Sequence, residues 1–160
     1  MKASEHFTEA ELACHCCGVC QVDDTLVTAL DALRNAAGKP VVIDDACRCP
    51  KHNAAAGGVG HSEHLFIPGG QNTMAADLRI PGLTMEETYE LALEIPAFAK
   101  GGIGAYDGDF IHVDTRPNGP ARWARVLGRY CAFDTLLSFS PNDPRNLTVP
   151  PNLHVPLPPR

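Results

Sequence analysis

Residues 101–114 read Gly-Gly-Ile-Gly-Ala-Tyr-Asp-Gly-Asp-Phe-Ile-His-Val-Asp, and this stretch restricts the possible folds more than any other. Asp107-Gly108 is a strong turn dipeptide between two strand-like runs, so the segment predicts a β-hairpin. Side chains of a strand alternate between faces. Phe110, His112 and Asp114 therefore share one face, and Ile111 and Val113 share the other. A sheet that buries the two aliphatic residues turns His112 and Asp114 side by side toward a common site.

The rest of the chain predicts short, capped elements around that hairpin. Thr8 and Glu11 form a capping-box pair that opens a short helix over 7–13. Asp23 or Asp24 caps a longer helix running to Ala37, in which Leu26, Leu30 and Leu33 mark a buried face; Gly38 ends it and Pro40 prevents its restarting. Val41-Val42-Ile43 reads as a short buried strand whose exit, residues 44–50, carries Arg48. A short helix over 50–56, a glycine-rich loop over 57–60 and a loop over 66–73 follow. Ala75 to Ile80 alternates like a strand, and Thr84 with Glu87 opens a helix to about Ile95. From Ser138 the composition changes, and seven prolines fall in the last twenty residues. The expected organisation is one domain over 1–137, with a Cys-rich loop at 14–20, and an extended proline-rich tail over 138–160.

A chain of 160 residues suits one domain with one core. The net charge of −6, without a Lys/Arg run, argues against nucleic acid as a partner. No apolar run reaches transmembrane length. Residues 1–6 lack an apolar stretch of signal-peptide type, so the expected location is cytoplasmic as encoded. A monomer is expected.

Seven cysteines are many for a cytoplasmic protein. Cys14, Cys16, Cys17 and Cys20 crowd into one loop, Cys47 and Cys49 flank Arg48, and Cys131 stands alone. The odd count fits poorly with a pure disulfide framework. Cys17-x-x-Cys20 has zinc-knuckle spacing, with Cys14 and Cys16 as alternative partners and Cys47, Cys49 or His15 as further ligands. Two readings stay open: a second, structural zinc, or thiols that are free or paired as disulfides.

Three fragments carry the chemistry: Ser62-Glu63-His64, Ala75-Ala76-Asp77 and His112-Val113-Asp114. Together they supply two histidines and a carboxylate, the donor set of a catalytic zinc site, and a spare carboxylate for work on a metal-bound water. Three protein ligands leave zinc one open position, and the metal lowers the pKa of water held there toward neutrality. A site of that composition is suited to hydrolysis.

With these pieces in order, the chain resembles the zinc D-Ala-D-Ala carboxypeptidase family. Relatives of that family include phage and bacterial peptidoglycan endopeptidases, and the Hedgehog signalling domain shares its fold. The resemblance spans about residues 6–124. It rests on Phe7 to Cys20, Leu30 to Arg34, Arg48-Cys49-Pro50-Lys51-His52-Asn53, Gly57-Gly58-Val59, Ser62 to Leu65, Ala75-Ala76-Asp77, Gly101 to Gly104 with Tyr106, and Phe110 to Arg116 with Trp123 beyond. It implies an α+β fold, a small antiparallel sheet with flanking helices.

By the same matching, His64, Asp77 and His112 are the zinc ligands, and Arg48 is the arginine that binds substrate. Ser62 holds either substrate or a ligand. Asp114 is the preferred general base because it shares a face with His112; Asp109, in an Asp-x-x-His pattern with His112, is the alternative. The implied substrate is the peptidoglycan stem peptide, at its D-Ala-D-Ala end or a cross-bridge, reached by release or export through another route. Two departures stand out. Twelve residues separate His64 from Asp77, where the family usually has six, so an insertion over 66–72 is expected to bulge outward. Asp45 stands where relatives commonly have Ser. Two other classes remain beside the enzyme: a non-catalytic zinc-binding recognition module, and a phage structural or assembly protein.

Overall fold

The structure, a computed structural model, describes residues 3–107 and 109–131. The proline-rich tail expected over 138–160, and the boundary before it, lie outside the described residues. The hairpin forms where the sequence puts it. Strand β3 (Gly102–Tyr106) pairs antiparallel with β4 (Phe110–Asp114), Gly104 opposite His112. On the other side of β4 lies β2 (Ala75–Arg79), with Asp77 opposite the same His112. Strand β1 (Val42–Asp45) pairs with β2, and its register shifts between Ile43 and Asp45.

The α+β class and its flanking helices are as expected. The sheet itself is larger and mixed. Strands β5 (Ala121–Val126) and β6 (Arg129–Cys131) extend it to the order β1-β2-β4-β3-β5-β6, and β5 runs parallel to β3. After β4 the chain passes the end of β3 and returns along its far edge. Pairing across so many residues leaves no local turn signal between β4 and β5.

One sheet face is apolar. Ala76, Leu78, Ile103, Ala105, Ile111, Val113, Ala124 and Val126 join one buried cluster with the helices. Helix α2 (Asp24–Ala37) starts where the Asp23 carboxylate accepts from the Thr25 N–H and ends at Gly38 in the left-handed region, φ 60°. Its Leu26, Leu30 and Leu33 are fully buried, each side chain worth about 1.5–3 kcal/mol relative to exposure. Capping boxes open α1 (Glu9–Leu12) at Thr8 and Glu11, and α4 (Met85–Glu94) at Thr84 and Glu87. Helix α3 (Pro50–Ala55) follows Cys49, and α5 (Pro96–Lys100), unforeseen in the sequence, brings Phe98 into the core. Among the described residues no helix is long and apolar enough to cross a membrane.

The opposite sheet face carries Asp77, His112, Asp114 and Trp123, and it needs two glycines. A Cβ on Gly102 would overlap the Asp114 carboxylate, and one on Gly104 would fall inside the Trp123 indole. Gly104→Ala is therefore expected to displace Trp123, whose ring lies 5.1 Å from that of His112. The expected loss is roughly 1–3 kcal/mol of stability, read as a lower midpoint in thermal or denaturant unfolding.

Candidate metal centre

The expected bulge brings its two ends together. Ile67 N–H donates to Gln71 O, and the Gln21 and Gln71 amides donate to carbonyls of residues 62–71. The loop thus closes on itself, while Met74 N–H donates to Glu63 O at its base. His64 and Asp77 meet despite the insertion. His64 Nε2 lies 3.2 Å from Asp77 Oδ1, His112 Nδ1 lies 3.0 Å from that oxygen, and the two ring nitrogens are 3.1 Å apart. Zinc bonds of about 2.0–2.1 Å in tetrahedral geometry space such donors about 3.3 Å apart. The three atoms fit a zinc ion.

What lies behind each imidazole fixes its orientation. Ala46 O accepts from His64 Nδ1 at 2.8 Å, which leaves Nε2 to face the other donors. Asp114 Oδ2 lies 2.9 Å from His112 Nε2 and does the same for Nδ1. Asp114 is fully buried. It accepts from Gly102 N–H at 2.8 Å, and from Arg116 Nε and Nη2 at 2.6–3.0 Å. This geometry differs from what the expected role of Asp114 as general base calls for. A shared strand face put it beside His112, but it stands on the far side of the imidazole ring from the donor cluster, with its oxygens already engaged. Asp109, the alternative, sits exposed at the hairpin turn with φ 63°, outside the cleft lining.

Arg48 joins the centre differently from expectation. Its Nε donates to Asp45 Oδ2 at 2.6 Å and its Nη2 to Asp77 Oδ2 at 3.0 Å. It therefore braces the Asp77 carboxylate while lining the cleft, and the unusual Asp45 is its anchor. Ser62 is buried, and its Oγ accepts from His64 N–H at 3.3 Å.

The centre lies in a cleft of about 440 Å³. One wall is the glycine-rich loop with His61; the other carries Tyr106, Phe110, Trp123, Arg125 and Tyr130. Glu63, which the sequence reading passed over as the residue between Ser62 and His64, also lines the cleft and is half-buried. Burial first, then the Asp114 charge, push its carboxyl above the usual range.

Electrostatics hold the triad tightly. Burial opposes ionisation of Asp77, but the charges and hydrogen bonds of His64 and His112 outweigh it and hold the carboxyl far below 3.8. Burial likewise opposes a charge on His112, yet its hydrogen bonds to Asp114 and Asp77 raise it from 6.5 to about 9. A group raised in the fold stabilises fully below its unfolded pKa, and that contribution fades as pH rises through the folded value. Metal-free protein is expected to lose up to about 3 kcal/mol between about pH 7 and 9.5. Zinc-loaded protein, with His112 held neutral by the metal, escapes that loss. Thermal melts with and without chelator across this range check it. Asp77 works in the opposite sense, its contribution disappearing as pH falls below 3.8.

Six of the seven cysteines fall into two groups, Cys131 stands apart, and no disulfide joins any of them. Cys14, Cys17 and Cys49 bring their sulfurs within 4.8 Å of one another, with Cys16 against Cys49. Cys20 instead faces Cys47 and stands outside the cluster of Cys14, Cys17 and Cys49. Burial pushes the Cys14 thiol up, but N–H groups of Cys49, Cys16 and Cys17 and the His52 ring bring it down to about 6.

Comparison with curated proteins finds no match. The family model described as peptidase M15 matches residues 5–114, more than half the chain, including His64, Asp77, His112 and Asp114. The resemblance read from the motifs is borne out: the chain belongs to the peptidase M15 family.

Proposed function

We propose that this chain is a zinc peptidase that hydrolyses a peptide bond in peptidoglycan stem peptides. The observation that carries the reading is the convergence of His64 Nε2, Asp77 Oδ1 and His112 Nδ1 within 3.0–3.2 Å in an open cleft. When bound there, zinc supplies a Lewis acid for the scissile carbonyl and a water of lowered pKa.

The protein's own groups divide the remaining work. The Ala46 carbonyl and Asp114 fix the two imidazoles in the tautomers that present the right nitrogens. Arg116 in turn holds Asp114. Glu63 is assigned as the proton acceptor: it is a cleft carboxylate whose pKa burial raises, which suits a group that takes a proton from water and returns it to the leaving amine. Arg48 keeps Asp77 in place and, with Arg125, offers guanidinium donors to carboxylates of the stem peptide. Tyr106, Trp123 and Tyr130 give the peptide an aromatic wall.

Defined muropeptides with tri-, tetra- and pentapeptide stems test the reading. Zinc-loaded protein is expected to give a shortened or divided stem by mass spectrometry, and chelated protein none. Zinc-bound protein that cleaves no stem would leave a recognition module instead.

A further inference from the structure

We propose that Cys14, Cys17 and Cys49 hold a second, structural zinc ion, with His52 Nδ1 as the fourth ligand. The three sulfurs lie within 4.8 Å of one another before any metal draws them in. Zinc–sulfur bonds of about 2.3 Å in a tetrahedron place sulfurs about 3.8 Å apart, and a nitrogen about 3.6 Å from each sulfur. His52 Nδ1 lies 3.4 Å from Cys14 Sγ.

The surroundings match a thiolate site. Cys49 N–H donates to Cys14 Sγ, and His52 N–H donates to Cys49 Sγ, both at 3.4 Å. The loop is shaped for it by Gly18, at φ 72°, whose N–H donates to Cys14 O at 2.7 Å. Behind the proposed nitrogen ligand stands a carboxylate: His52 Nε2 is 3.8 Å from Asp45 Oδ2. Asp45 Oδ1 is buried without a hydrogen-bond partner among the described residues. Coordination through Nδ1 leaves the His52 proton on Nε2, facing that acceptor, the arrangement that orients metal-bound histidines. His15, Asp45 and His52 also approach one another, but three thiols are the better zinc donors.

The site has a consequence for the cleft. It ties the 14–20 loop to Cys49, next to Arg48, and its His52 faces the Asp45 that anchors Arg48 Nε. The second zinc is thus a brace for the arginine that holds Asp77.

Full-length protein purified under reducing conditions is expected to carry two zinc ions per chain by elemental analysis. His112→Ala is expected to retain one, the thiolate-bound ion, and Cys49→Ser to retain the other. Cobalt-substituted wild type gives a second reading that does not depend on the folding of Cys49→Ser. Thiolate-to-cobalt charge-transfer absorption is expected, and it should persist in His112→Ala. One zinc per chain with seven reactive thiols, or two cobalt ions without that absorption, would overturn the proposal. His52→Ala with full zinc would pass the fourth place to Cys16 and remove the link to Asp45.

Discussion

His112→Ala is expected to release the cleft zinc and to reduce stem-peptide cleavage to the level of chelated protein. The side chain supplies one of three donors, and two cannot hold the ion against water and buffer. The fold should survive the change. Asp114 keeps Gly102 N–H and the Arg116 fork as partners, so no buried charge is left alone. Metal analysis beside the folding transition separates loss of the ion from loss of the domain. A variant that keeps the cleft zinc would remove His112 from the ligand set.

The second large effect concerns Glu63. Glu63→Gln is expected to keep zinc and to lower turnover by about 100- to 10,000-fold, the usual cost of losing a general base. Asp114→Asn should behave differently. An amide in that position still contacts the ring but no longer fixes its tautomer by charge, so zinc affinity falls by about 10- to 100-fold. Excess zinc should then restore much of its activity. Zinc titrations of activity for both variants distinguish a base from a positioning carboxylate. Rescue of Glu63→Gln by excess zinc would argue against its assignment.

Asp77 and His112 were legible together because strand alternation turns both to one face of the sheet; His64, which lies in a turn, was named by the resemblance. His112 and Asp77 end up opposite each other in register, as two neighbouring strands require. The insertion before Asp77 obscured nothing essential, since ligands need to converge in space and a closed loop permits that. What alternation does not specify is which ring nitrogen of His112 faces His64 and Asp77. That choice is made by Arg116 and the Gly102 N–H, which draw the Asp114 carboxylate behind the ring. A basic residue two positions after Asp114 was the available signal.

Other parts were hidden for physical reasons. Strands β5 and β6 carry Arg122, Arg125 and Arg129, and β5 lacks clean alternation because Trp123 and Ala124 are both buried, on opposite faces. Its partner β3 is linked only through a long-range parallel pairing. The glycines at 102 and 104 read as loop composition in sequence, whereas they clear space for a carboxylate and an indole. Cys17 and Cys20 have knuckle spacing, but the chain reversal at Gly18 sends Cys20 toward Cys47.

Anomalous diffraction at the zinc absorption edge, on crystals of the zinc-loaded protein, bears most directly on the cleft. The expected peak lies about 2.0–2.1 Å from His64 Nε2, His112 Nδ1 and Asp77 Oδ1, with Asp114 behind His112 and no protein atom in the fourth position. A peak away from these three atoms, or one with Asp114 as a ligand, would contradict the metal centre described for this chain.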